Sequence, residues 1–186
     1  MPASPAIPGL FFCFAAMVLL IFVSVSVPTW DMVSFLNVGD GNRQIRYGVF
    51  GFTGSKPHIG YMFGNDRLDT TIMDNLTKTL ILHPIAAGLA GIAFIFGLCG
   101  ASARTRIGTV FMTLVAGLAT LTTLVAWVID MVLFGIARTR FRDQGLQAQY
   151  GNANWLTLGA LVALLLGFCA STCGVFGRYG KRRNAY

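Results

Sequence analysis

Glutamate is absent from this chain. All seven acidic residues among the 186 are aspartates, and charged residues amount to only 11%. A soluble domain carries roughly 25% charged residues, so the charge here is too sparse to clothe a water-facing surface. Motifs for chemistry are missing as well. There is no histidine-containing metal motif, and no glycine loop followed by Lys-Ser or Lys-Thr to cradle a phosphate. These gaps argue against an enzyme and against a bound cofactor. The segment from Pro28 to Lys78 has no cysteine, which excludes a disulfide staple there. The four cysteines, Cys13, Cys99, Cys169 and Cys173, all lie inside or at the ends of apolar runs. Cys169 and Cys173 are one helical turn apart, but no histidine or further cysteine completes a metal site. Cys99 and Cys173 lie near helix ends, where reversible palmitoylation is an option; buried thiols are the plainer reading.

What the chain has in abundance is apolar sequence, 55% of it, gathered into blocks. Uncharged runs cover Met1–Trp30, Thr79–Ala103, Ile107–Ile129 and Gln144–Gly177. Each exceeds the roughly 20 residues that a helix needs to cross the hydrocarbon core. The pattern predicts one membrane domain, residues 1–186, with helices over about 9–27, 80–102, 107–141 and 155–176. The first run resembles a signal peptide, yet no Lys or Arg precedes it and its apolar stretch is long. A retained helix ended by Pro28 is expected. The net charge of +7 comes from basic residues scattered beside apolar runs, with no basic groove for nucleic acid.

The loop of residues 28–78 is the most informative stretch. Aromatic and β-branched residues alternate with glycine, which reads as strand. Strands are expected over Asp31–Leu36, Gln44–Phe52 and His58–Phe63, with turns at Gly39–Asn42 and Gly54–Pro57. Gly48, Gly51 and Gly60 are expected to allow close backbone approach. Leu68, Ile72 and Leu76 then recur at helical spacing and predict a short amphipathic helix. The fold class is therefore an all-α four-helix membrane bundle with a small antiparallel β-sheet outside the bilayer. The loop's apolar residues, Tyr47, Val49, Phe50, Phe52, Ile59 and Tyr61, are the candidate surface for a partner.

Asp130 follows Ile107 by about 35 Å of helix, against a hydrocarbon core of roughly 30 Å. It should stand at the far boundary, with Met131–Ile136 projecting beyond and needing cover from the loop. His83, in the first turn of the second helix, falls at similar depth. The two could pair, either as an interfacial tie or as a proton sensor near neutral pH. His58 reads as a solvated turn residue. Small residues recur every four positions at Ala93, Gly97 and Ala101, and again at Gly159, Ala163, Gly167 and Ser171. In lipid this spacing lets helix backbones approach closely, within the bundle or toward a partner's helix.

Arg104, Arg106 and the basic residues of Arg178–Arg183 have no acidic neighbours, which assigns their side to the cytoplasm. Trp30, Trp127 and Trp155 gather at the opposite interface. Both termini are then cytoplasmic and the loop faces outward; the arginines after Ile136 vote the other way.

The four-helix plan with a large β-bearing loop resembles the claudin architecture. Tyr47-Gly-Val-Phe-Gly-Phe52, then Ile59-Gly-Tyr61, resembles the fungal PalI family of pH-response regulators more closely, as does Ala126–Phe134 with Ala137-Arg138. The resemblance implies a non-catalytic assistant at the plasma membrane, one that helps place a seven-helix alkaline-pH sensor. Related four-helix proteins organise membrane domains and cell wall, form junctions or serve as channel subunits. Three functions remain open: an accessory or scaffold protein, a constitutive subunit of a pump, channel or wall synthase, and a small transporter or channel in its own right. The partners implied are another integral membrane protein and membrane lipids, with a homo-oligomer also open. Tags placed at Gly54 and at Tyr186 are expected on opposite faces of the bilayer, checked by protease protection in sealed vesicles.

Overall fold

The computed structural model describes residues 6–39, 44–63, 71–102 and 106–183. The chain runs α1 (Ala6–Ser24), β1 (Leu36–Val38), β2 (Ile45–Tyr47), α2 (Thr71–Lys78), a 3-10 turn (Thr79–Ile81), α3 (Leu82–Ser102), α4 (Arg106–Asp143), β3 (Ala148–Tyr150) and α5 (Ala153–Arg183). Helices α1, α3, α4 and α5 are long and apolar enough to cross a membrane. Pro84 sits in the first turn of α3, where its missing N–H has no helical partner to lose. α1 ends at Ser24, a turn earlier than Pro28 suggested, and the Ser24 hydroxyl donates back to Leu20 O at 2.7 Å. α4 and α5 both outrun their expected spans.

The four long helices form a ring in the order α1–α3–α4–α5, each packed on two neighbours. Alanine fills its centre. Ala16, Ala86, Ala90, Ala119 and Ala160 are fully or nearly fully buried with Leu20 and Leu164. Cys13, Ala93, Met112 and Ala116 form the next layer. Bulky residues such as Phe11, Leu114, Leu121 and Leu166 point outward. Lipid offers those side chains as apolar a setting as a core, so small residues go where backbones must meet. The predicted small-residue rows face these internal contacts. A side chain at Gly97 would press on Leu10 and Met112, one at Gly159 would meet Leu19, and one at Gly167 would press on Phe12 and the Gly9 carbonyl. Ser171 packs against Gly9 and donates to Gly167 O at 2.7 Å. Ala163 packs against the central layer. Gly100 and Gly108 bring α3 and α4 into backbone contact. The side chain of Ala101 lies outside the described residues.

At one end a cap covers the ring. Its sheet has the order β2-β1-β3, antiparallel throughout. Leu36 sits between Tyr47 and Tyr150, and Asn37 between Arg46 and Gln149. Leu36 and Val38 turn inward, while Asn37 and Gln149 face out. Two of the three expected strands differ. Asp31–Leu36 forms turns and only its last residue enters β1. His58–Phe63 is irregular: the Tyr61 N–H donates to Thr77 Oγ1 at 3.2 Å, tying it to α2 rather than to the sheet. The third strand is β3, three residues between α4 and α5, too short to carry a periodic signal. The α2 face also differs, since Met73 and Thr77 are buried while Ile72 is 67% exposed. Leu68 lies outside the described residues.

Backbone contact holds the cap to the helix ends. A side chain at Gly48 would collide with the Val27 backbone, and one at Gly151 with the Ser34 carbonyl. The Val49 N–H donates to Ser26 Oγ at 3.0 Å. Asn152 clamps the chain after α1, accepting from Ser34 N at 3.1 Å and donating to Met32 O at 2.8 Å. Gly48→Ala and Gly151→Ala are each expected to destabilise the protein by about 3 kcal/mol, the upper end for overpacking. Gly54→Ala meets no neighbouring atom, but its φ of +87° costs about 1–2 kcal/mol. Thermal melting in detergent checks the ranking.

A buried His–Asp pair beneath an aromatic cap

His83 and Asp130 lie where cap and ring meet. α3 carries His83 in its first turn, just after the 3-10 turn; α4 carries Asp130 about two-thirds along. His83 Nε2 is 3.0 Å from Asp130 Oδ2, and the two side chains are 0% and 1% exposed. His83 Nδ1 is 3.0 Å from Leu80 O. A carbonyl can only accept, so Nδ1 carries a proton. One further proton must then lie between Nε2 and Oδ2, on either atom. The pair is thereby net neutral, as imidazolium with carboxylate or as imidazole with carboxylic acid. Burying a neutral unit costs far less than burying either charge alone.

Phe35, from the cap, closes over this pair. Its ring meets His83 edge-on at 5.3 Å and stacks on Phe134 at 5.0 Å and 10°. Phe134, Ala137 and Phe141 continue the Asp130 face of α4 at helical spacing and enter the cap's core. The expected cover over Met131–Ile136 reaches one face only: Leu133 and Phe134 are buried, while Val132 and Ile136 stay exposed. Tyr47 gathers Phe63, Phe141 and Tyr61 at centroid distances of 5.0, 6.0 and 6.1 Å. The Tyr61 hydroxyl donates to Gly48 O at 2.9 Å. Burial, helped by neighbouring Tyr47 and Asp130, holds the Tyr61 hydroxyl well above its ordinary pKa of 10.0.

The structure thus brings His83 and Asp130 together and turns most of the loop motif inward. Tyr47, Val49 and Tyr61 are buried within the cap; Phe50 and Phe52 are partly buried. The alternating glycines let this stretch press its backbone on Val27 and turn its rings inward. Only Ile59, 50% exposed, lies open. With Phe50, Pro57 and His58 it lines a shallow hollow of about 510 Å³. His58 is exposed, its Nδ1 2.8 Å from Ile59 O. Phe35 and Phe134 were not singled out by the sequence. Phe134, four residues after Asp130, was legible as the same face of the helix; Phe35, reached only through the fold, was not. Cys99 is exposed, Cys13 is buried, and the Cys173 side chain lies outside the described residues. Among the described residues no group of three or more His, Cys or Asp side chains could hold a metal.

Four membrane-length helices beneath a three-stranded antiparallel cap define a claudin-like tetraspan membrane protein. A model described as the SUR7/PalI family matches residues 5–169, nearly the whole chain, and the chain belongs to that family. No curated protein sequence matches it.

His83→Ala or Asp130→Ala is expected to destabilise the fold by about 3–5 kcal/mol, because one partner stays buried without the other. The double replacement His83→Phe with Asp130→Leu should recover most of that loss; melting temperatures in detergent decide. Tyr61 supplies a second prediction. A hydroxyl held protonated by the fold contributes stability that is full below its unfolded value near 10 and is lost as pH climbs toward the folded one. Wild type should therefore weaken above about pH 10. Tyr61→Phe should lose about 1 kcal/mol at neutral pH and show a flatter alkaline decline by tryptophan fluorescence.

Proposed function

We propose that the chain is a non-catalytic accessory protein of the plasma membrane that places or stabilises a partner integral membrane protein. The cap faces outward and both termini are cytoplasmic. One observation carries this reading: His83, Asp130 and Tyr61, buried and ionisable, all serve to seat the cap. His83, Asp130 and Tyr61 are sealed under Phe35 and the aromatic cluster. A substrate would have to part the cap from the ring to meet them. The chain spends its chemistry on holding a folded surface rigidly above the bilayer, which suits a protein that acts by contact. The resemblance to PalI makes an ambient-pH sensor the nearest partner; a pump, channel or wall synthase retaining this chain as a fixed subunit is the runner-up.

Purification under native conditions followed by mass spectrometry is expected to yield a larger membrane protein in stoichiometric amount. Removing the chain should lower that partner's level at the cell surface. Ion or solute flux by the pure protein in liposomes would instead make it a transporter. His83→Ala should impair partner placement; placement unchanged at both acidic and alkaline pH removes any proton-sensing role for the pair.

A further inference from the structure

The projecting end of α4 carries a cationic feature that the fold does not consume. Arg138 and Arg142 are one helical turn apart and reach the same acceptor. Their Nε–H groups donate to Ala148 O at 3.4 and 3.1 Å. The Arg138 guanidinium lies over the Tyr150 ring, 4.9 Å from its centroid. Anchored at Nε, each guanidinium keeps the N–H donors of both Nη nitrogens, which find no acceptor among the described residues. Neither arginine has an ion-pair partner among them; Asp143, next along the helix, pairs with neither.

We propose that Arg138, Arg142 and Tyr150 form a docking face for a carboxylate-bearing segment of a neighbouring membrane protein. This rests on the accessory role proposed above and gives it a location. Guanidinium groups held in place offer paired, parallel N–H donors that match a carboxylate in two-point fashion. Arginine and tyrosine are also both among the residue types enriched where interfaces gain their energy.

Two other occupants fit less well. Lipid phosphates carry the same charge, but Arg138 and Arg142 stand about 12 and 18 Å beyond Asp130 along the helix. The headgroup layer extends only about 5–8 Å past the hydrocarbon, and the bonds to Ala148 stop these side chains from reaching back. A second copy of the chain offers little matching charge. It has no glutamate, and of the described aspartates on the cap side Asp74 is already paired with Lys78, which leaves the isolated Asp31 and Asp143, the latter within the patch itself.

The test uses the full chain in phosphatidylcholine nanodiscs and a dye-labelled oligoglutamate peptide. The peptide should bind, and binding should weaken as salt is raised. Arg138→Gln with Arg142→Gln should weaken it by about tenfold or more, the scale of losing a charge-assisted contact. Arg140→Gln, on the opposite side of the helix, should leave it unchanged. If the double variant melts early through loss of its bonds to Ala148, Arg142→Lys replaces it; keeping the charge but not the fork, it should still bind more weakly than wild type. Equal binding by wild type and the arginine variants overturns the proposal, as does no binding at all. Preference for vesicles containing anionic lipid, or a dimer dissolved by the double variant, overturns it in favour of the other occupants. In cells, a double variant that still purifies with a stoichiometric partner moves the docking face elsewhere and leaves the accessory role standing. Wild type without any such partner removes that role.

Discussion

Everything in this structure depends on a polar contact buried where two environments meet. Below the boundary the helices are solvated by lipid; above it the cap must form a small core of its own. His83 and Asp130 occupy the seam, and their shared proton allows both to be there without net charge. Phe35 then seals the seam from the cap side. The arrangement is expensive to form and more expensive to half-form, so it fixes which surface of the cap sits on the ring. The apolar stacking above it supplies area; the pair supplies register.

The cap is small, and a three-stranded sheet with strands of three residues is marginal alone in water. It survives because α4 does not stop at the bilayer. Leu133, Phe134, Ala137 and Phe141 give the sheet a helix to pack on, and Tyr47, Tyr61 and Phe63 close the remaining space. Gly48 and Gly151 let the loop backbone lie directly on the segments flanking the helices. Those glycines are required because the opposing atoms are main chain and cannot move aside.

The membrane plan was plain in the sequence, since uncharged runs of that length have few alternatives. The likeness to PalI was legible in Tyr47–Phe52, and the family match bears it out. Asp130 could be placed by counting residues along its helix, and His83 by threading the helices antiparallel. What the sequence hid was direction. Alternation marked Tyr47, Val49 and Tyr61 as strand-like, but period two cannot say which face is covered when both sides of a loop are apolar. The third strand was invisible for another reason. Ala148–Tyr150 has no pattern of its own and exists only because β1, more than a hundred residues earlier, offers it hydrogen bonds. The role of Phe35 was equally non-local.

At 38 residues, α4 measures about 57 Å, which exceeds the bilayer and reaches well into the cap. Gly108, near one end, touches the α3 backbone; Arg142, near the other, touches the sheet. No hinge interrupts the rod between them. Both compartments are therefore joined by one uninterrupted rod, held at each end by a different part of the fold, so that a shift of α3 on one side has a continuous mechanical route to the sheet on the other.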